Sequence, residues 1–262
     1  MSFVYDDKRG GVFCPKHNIA PWPMVIMRRT AVLDIMRSLT PGNYLEIGFG
    51  TGIFTYEFYR KGFKCKGYDI EPETVAIANS IFNQKEKIIE FCNELTPADE
   101  NRYDCLGAFE VLEHNEDDAA LIKQWAGLLN SNGKMLLSVP ARMKKWSASD
   151  ERGGHIRRYE KKDLIQLLSN AGLRVQKFYS VGFPTYTILA PLMRSLVHKP
   201  VLKTLRSLSS QERTQVSGID RAQEAKFKKF IPFSLLRFLA KMQRVFYNTD
   251  LGEAYVVLAQ KN

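Results

Sequence analysis

Cysteine and histidine are scarce in this chain, four of each in 262 residues, and their spacing excludes several kinds of site. Cys14, Cys65, Cys92 and Cys105 stand far apart with no CxxC pair, so the sequence carries neither a disulfide framework nor a zinc ribbon. Cys14 and His17 would open a zinc site, but no second ligand pair closes it. Three of the four cysteines fall in or beside expected core strands, which reads as reduced, buried thiols. Long apolar runs are also missing. None approaches the roughly 20 residues of a membrane-spanning helix, and the opening MSFVYDDKRGG holds two acids and no apolar leader core. A cytoplasmic location is the expectation. Acids are nearly absent from one stretch: between Pro184 and Asn248, twelve Lys and Arg face only Glu212, Asp220 and Glu224, and twelve minus three gives that segment +9 of the chain's +10. A basic excess confined to one region points to an anionic partner for that region.

What the chain does hold is 45% hydrophobic and 11% aromatic residues, ample core for one large domain. Its organising stretch is Tyr44 to Thr55, YLEIGFGTGIFT. Tyr44, Leu45 and Ile47 suit a buried strand. Gly48, Gly50 and Gly52 suit a turn that takes positive φ or lets a ligand approach the backbone, and Ile53, Phe54 and Phe58 recur at helical spacing. A dinucleotide fingerprint is G-x-G-x-x-G, whereas here the third glycine comes one residue earlier. An ordinary strand-to-helix turn and a nicotinamide site remain open on this stretch alone.

Strands and helices alternate along the rest. A helix is expected from Trp22 to Leu39. Strands are expected at Lys64–Ile70, Ile88–Cys92, Tyr103–Phe109, Lys134–Val139, Leu173–Tyr179 and Glu253–Gln260, with helices from Pro72, Glu116 and Lys161 between them and a turn at Asn130–Gly133. This order predicts an α/β fold, a doubly wound, mostly parallel sheet of seven strands with its ligands at the strands' carboxyl ends. Asp69 closes the second of these strands seventeen residues after Gly52, about where a βαβ unit delivers a carboxylate to ribose hydroxyls.

Taken together, EIGFGTG, GYDIEPETVAIA, FEVLEH and SNGKMLLSVP resemble, in sequence and order, the class I S-adenosylmethionine-dependent methyltransferases, with the ubiquinone-biosynthesis O-methyltransferases among the similar branches. The resemblance covers most of Tyr44 to Tyr179. It implies S-adenosylmethionine as cofactor, a Rossmann-like methyltransferase fold, and a last strand inserted antiparallel beside the sixth. It further implies that Glu46 holds the cofactor's ammonium group and that Gly48, Phe49, Gly50, Gly52, Asp69, Ile70, Asn93, Glu94 and Glu110 line the cofactor site. Glu110, Glu113 and His114 match an E-x-x-E-H pattern described as a divalent-metal site in the ubiquinone branch. The same pattern occurs in metal-independent relatives, so no metal is expected.

The acceptor side is expected in Pro140 to Tyr159, PARMKKWSASDERGGHIRRY, a polar stretch without helical or strand periodicity. It resembles a D-x-x-x-G-H-x-R-R-Y signature of bacterial methyltransferases acting on small molecules, lipids or glycans. His155 is the candidate general base, with Asp150, Arg157 and Tyr159 beside it, because a neutral imidazole accepts a hydroxyl's proton. Alternatively His155 and Asp150 only fix the loop, and Arg157 or Arg158 pairs with an acid such as Glu160 or Asp163 instead of binding an acceptor anion.

Residues 184–248 form an addition before the last strand, set off from a catalytic domain of residues 1–183 and 249–262. Leu189, Leu192, Met193, Leu196 and Val197 make one apolar stripe, and Phe227, Phe230, Ile231, Ser234, Leu235, Phe238, Leu239, Met242 and Phe246 a second, with Arg237, Lys241 and Arg244 on a basic face. Three roles stay open: an in-plane anchor on an anionic membrane, a cap over the acceptor pocket, and a dimer face. Nucleic acid is disfavoured, since no RNA-binding module signature or base-methylation motif is present. The expected function is methyl transfer to a hydroxyl of a small-molecule, saccharide or lipid-linked acceptor, such as a cell-envelope glycolipid or quinone, at the membrane's cytoplasmic face. A non-catalytic cofactor-binding or partner-binding protein is the alternative.

Overall fold

The computed structural model describes residues 4–6, 11–14, 23–84, 86–188 and 233–262. Its centre is strand β3 (Asn43–Ile47), buried on both faces because Tyr44, Leu45 and Ile47 are apolar and helices cover each side. Around it lie β4 (Lys64–Tyr68), β5 (Glu90–Cys92), β6 (Tyr103–Phe109), β7 (Leu129–Pro140), β8 (Leu173–Val181) and β9 (Ala254–Lys261). They form one seven-stranded sheet in the order β5-β4-β3-β6-β7-β9-β8. The first five strands run parallel, and β9 is antiparallel to both β7 and β8. The doubly wound sheet and the inserted last strand are therefore as the sequence led one to expect.

Two apolar layers sandwich this sheet. Helices α1 (Pro23–Met36), α2 (Ile53–Arg60) and α3 (Pro72–Phe82) bury Val32, Ile35, Phe58 and Phe82 on one face, where the Tyr44 and Phe58 rings stack 3.7 Å apart. On the other face, α4 (Asp118–Leu128) and α6 (Lys161–Asn170) bury Ile122, Trp125, Leu164 and Leu168.

Three local departures from expectation have physical causes. First, a short hairpin, β1 (Val4–Asp6) and β2 (Gly11–Phe13), lies outside the sheet. Its Tyr5 hydroxyl donates to Glu57 of α2, whose carboxylate also takes Arg29 Nε at 2.5 Å. Second, the expected turn at Asn130–Gly133 is part of β7. Leu129 pairs with Tyr103, and a register shift before Cys105, with Asn132 at φ 65°, absorbs the turn residues inside the strand. Third, Pro140–Tyr159 is not structureless. It contains a 3-10 turn at Met143–Lys145 and helix α5 (Ala148–Gly153), which Ser147 and Asp150 start as a reciprocal capping box and Gly154 ends in the left-handed conformation.

Of the added segment, residues 189–232 lie outside the described residues, and with them the first stripe and Phe227, Phe230 and Ile231 of the second. Helix α7 (Phe233–Met242) packs on α1. Its inward face is Leu236 and Ala240 against Ile26 and Met27, with Leu239 of the expected stripe packed beside them, whereas Leu235, Phe238 and Met242 of that stripe are exposed. Packing on α1 thus covers one edge of the apolar stripe and leaves the other uncovered. Arg244 leaves the expected basic face as well, because its guanidinium takes both Asp34 oxygens at 2.7 Å.

The join depends on Gln243, which is fully buried, accepts from Gly182 N at 2.9 Å and donates to Met27 O at 2.8 Å. Gln243→Ala strands a buried N–H and a buried carbonyl, each costing about 1–3 kcal/mol. The variant is expected to lose roughly 2–4 kcal/mol of unfolding free energy, measured by urea denaturation, while Gln243→Glu at low pH recovers part of it.

Candidate active site

The glycine loop leaves β3 with all three glycines in the left-handed region, at φ 63°, 50° and 69° for Gly48, Gly50 and Gly52. A Cβ on Gly48 would lie 2.6 Å from Val111, and one on Gly52 would lie 2.7 Å from Phe82, so those two serve close packing. A Cβ on Gly50 would meet nothing within 4 Å. The loop is therefore open at its middle glycine, as a cradle for a ligand must be. Asp69 braces it: its Oδ2 accepts from Gly50 N at 3.0 Å and its Oδ1 from Glu71 N at 3.2 Å. Beside it Ile70 is 73% exposed, an apolar side chain uncovered at the sheet's carboxyl edge, and Asn93 and Glu94 are exposed at the end of β5.

Several residues expected to line the cofactor have partners within the chain. Glu46 is 2% exposed and sealed beneath the loop, where Thr55 Oγ1 donates to it at 2.6 Å. Burial pushes its pKa up to about 8 against the opposing bonds from Thr55 and Tyr44. It fastens β3 to α2. Phe49 is buried against Phe91, with ring centroids 4.7 Å apart. Glu110, in the left-handed region at φ 59°, accepts from Ser138 Oγ at 2.8 Å and pairs with Arg28 at 2.7 Å. Arg28 was not foreseen. Two adjacent arginines, Arg28 and Arg29, inside a mostly apolar helix were the available signal, and both are buried.

On the acceptor side, Asp150 organises the loop. It accepts from Ser147 N and Oγ, from Arg158 Nε and Nη2, and from His155 Nδ1, all at 2.8–3.0 Å. Although burial opposes ionisation, these donors hold its carboxyl well below the usual range. His155 is thereby oriented, with Nε2 turned to Glu113 Oε1 at 3.6 Å, so the ring faces into the protein at a second carboxylate. Burial works against its charged form, but Asp150, Glu113 and Glu110 raise its pKa nonetheless. Glu113 is fully buried and neither of its oxygens has a hydrogen-bond partner. Burial, with the charge of Glu110, lifts it to about 8. His114 holds Nδ1 3.2 Å from the Gly154 carbonyl, its ring centroid is 5.0 Å from that of His155, and burial pushes it down to about 4.

Arg157 and Tyr159, expected to meet the acceptor, are turned to α4: Arg157 Nη1 and the Tyr159 hydroxyl both donate to Asp118 Oδ2, at 2.6 and 3.0 Å. The acid that holds Arg157 is Asp118, not Glu160 or Asp163. Arg158 pairs with Asp150, so both arginines of the signature serve the loop's structure.

Residues 27–177 match the family model for a methyltransferase domain. The chain belongs to that family. Its fold is that of the class I S-adenosylmethionine-dependent methyltransferases, and the open loop at Gly50 fits that cofactor. Among curated relatives, the ubiquinone biosynthesis O-methyltransferase of Sodalis glossinidius is 28% identical over 133 residues, covering 49% of this chain and 51% of that one. The chain thus spans about half the length of the curated relatives it matches. The cyclase SpnF superposes with a TM-score of 0.59 at 18% identity, over 99% of this chain and 86% of that one. An S-adenosylmethionine dependent methyltransferase from Mesorhizobium loti superposes with 0.53 at 14% identity, over 90% and 100%. Both likenesses concern the fold, which hosts more than one reaction.

Gly50→Ala tests the cradle. Left-handed backbone costs an alanine about 1–2 kcal/mol, too little to unfold a domain of this size. The variant is expected to fold but to lose the rise in melting temperature that S-adenosylmethionine gives the parent. Gly127→Ala also projects into open space, but from within a helix. It should keep that rise.

Proposed function

We propose that the chain transfers a methyl group from S-adenosylmethionine to a hydroxyl of a small-molecule acceptor. The observation that carries this reading is the contact between two sites. Gly48 of the cofactor loop packs on Val111, and the next three residues, Leu112, Glu113 and His114, bring donor groups beside His155. The cofactor supplies an electrophilic methyl on a sulfonium. The acceptor oxygen forms its bond to carbon as the carbon–sulfur bond breaks, and the hydroxyl proton leaves toward the Glu113–His155 side. Asp150 is a positioning residue, and Arg158 holds Asp150. Ile70 and Asp69 suit the adenine face and the ribose hydroxyls. Most of the rate then comes from alignment of oxygen and methyl carbon, with acid–base help at His155. The names of the curated relatives support oxygen as the atom methylated.

The measurement is incubation with methyl-labelled S-adenosylmethionine and a panel of phenolic, saccharide and polyprenyl-linked acceptors, with mass spectrometry of the product. Label is expected on acceptor oxygen, falling about 10²-fold or more in His155→Ala. Cofactor binding without any turnover would favour a non-catalytic binding protein, and label only in nucleic acid would replace the reading.

A lipid-linked acceptor at an anionic membrane face is supported by the outer face of α7 and the turn after it, where Leu235, Phe238, Met242 and Val245 are exposed beside exposed Lys241. Among the described residues no helix is long and apolar enough to cross a membrane. Sedimentation with phosphatidylglycerol vesicles is expected to weaken with salt and with Phe238→Glu plus Lys241→Glu. Arg244→Glu is not diagnostic, because it breaks the Asp34 pair. Equal sedimentation of the double variant overturns the membrane reading.

A further inference from the structure

We infer that Gly153 is a specificity-determining residue: by having no side chain it leaves room at His155 Nε2 for the acceptor oxygen, and it limits the bulk an acceptor can carry beside that oxygen. The D-x-x-x-G-H-x-R-R-Y signature leaves position 153 open, so the resemblance assigns it no role. Gly153 is the last residue of α5 and lies outside the positive-φ region, so its backbone accepts any L side chain. Within a helix glycine is a weaker choice than alanine. What crowds a side chain there is His155. A Cβ on residue 153 would lie 3.0 Å from Nε2, 3.1 Å from Cδ2 and 3.7 Å from Cε1.

Distances decide what that space is for. A hydroxyl that gives its proton to an imidazole nitrogen must come within about 2.6–3.2 Å of it. A methyl group on residue 153 would stand at that same distance from that same nitrogen, so it and an acceptor oxygen compete for one place. Nε2 has the place to give. Nδ1 is taken by Asp150 at 3.0 Å, whereas Nε2 has no hydrogen-bond partner among the described residues, Glu113 Oε1 being 3.6 Å away.

The other neighbours of the ring are filled positions. Glu113 is fully buried, and the His114 ring stands edge-on with its centroid 5.0 Å from that of His155. Gly153 is partly exposed and His155 keeps 15% of its side chain exposed, so an approach to Nε2 from solvent runs past residue 153. Asp150 and Arg158 hold the ring from the Nδ1 side, which leaves it little freedom to step away from an added carbon. That the oxygen entering here belongs to the methyl acceptor rests on the methyl-transfer reading above. Control of access to Nε2 by residue 153 does not.

Both points are tested on the full chain, with melting curves to show that each variant is folded. Diethyl pyrocarbonate in mildly alkaline buffer acylates an imidazole nitrogen that it can reach, and mass spectrometry of the digest reports His155 whether or not methyl is transferred. His155 of the parent is expected to react several-fold faster than that of Gly153→Ala, whereas Gly127→Ala, which adds the same carbon to a helix elsewhere, should match the parent. For turnover, methyl-labelled S-adenosylmethionine is offered with catechol, or with a catechol carrying tert-butyl groups next to both hydroxyls. Gly153→Ala is expected to lower kcat/KM for the bulky acceptor at least about 10-fold more than for catechol, and to keep the rise in melting temperature that the cofactor gives. A side chain that only disturbed the loop would lower both alike. Equal rates of acylation in the parent and in folded Gly153→Ala overturn the inference, as does a folded parent whose His155 does not react, or an equal loss of kcat/KM for the two catechols. No transfer to either catechol counts against the proposed function alone, and access to Nε2 is then judged by acylation.

Discussion

A carboxylate taken out of water must be surrounded by donors, and the loop after β7 is built to do this for Asp150. Its five donors come from Ser147, His155 and Arg158, so one buried charge ties the start of α5 to the residues that follow its end. Arg158 then carries the tie into the sheet by donating to the Ala141 carbonyl. Removing one partner of such a buried pair typically costs 3–5 kcal/mol, since the remaining charge is left uncompensated. The orientation of His155, and with it the geometry of the cleft, follows from this one requirement.

The same requirement sorts the other buried acids by purpose. Glu57 is met by Tyr5 and Arg29, which fasten the N-terminal hairpin and α1 to α2. Asp99 is met by Lys66, Tyr103 and Thr96 in a closed structural cluster. Glu46 is met by Thr55, and the half-buried Glu110 by Ser138 and Arg28. Among these groups Glu113 stands apart, with a carboxyl that burial and the charge of Glu110 push toward protonation and whose nearest cationic partner is His155 Nε2 at 3.6 Å, beyond hydrogen-bond distance. A structural acid is distinguished from a working one by whether its surroundings are complete.

The glycine loop was legible because its spacing is a local property. Positive φ, close packing at Gly48 and Gly52 and an open Gly50 are demands on consecutive residues, and the chain writes them as consecutive letters. The strand order was legible for a related reason, since alternating β and α segments leave few topologies. Polar partners were not. Nothing near Arg157 in sequence names Asp118, and nothing near Glu110 names Arg28, although each pair is closer than 2.8 Å. Nearer signals were also available and missed: Ser147 with Asp150 three residues on is a helix-starting pattern, yet that stretch reads as irregular by apolar periodicity alone.

Helix α7 shows the division most plainly. Its sequence gives two apolar faces, Leu236 with Ala240 and Leu235 with Phe238 and Met242, and periodicity favours the larger side chains. Packing favours the smaller ones, because Ala240 lets α7 approach α1 and places Gln243 where two backbone groups of distant segments need it. The sequence by itself determined the sheet, the cofactor loop and the membership in a methyltransferase family, all carried by short-range patterns. Only the tertiary structure decided which charges are spent on holding the fold and which side chains meet in the cleft. That depends on bringing residues far apart in the chain within hydrogen-bond distance, and no local pattern records it.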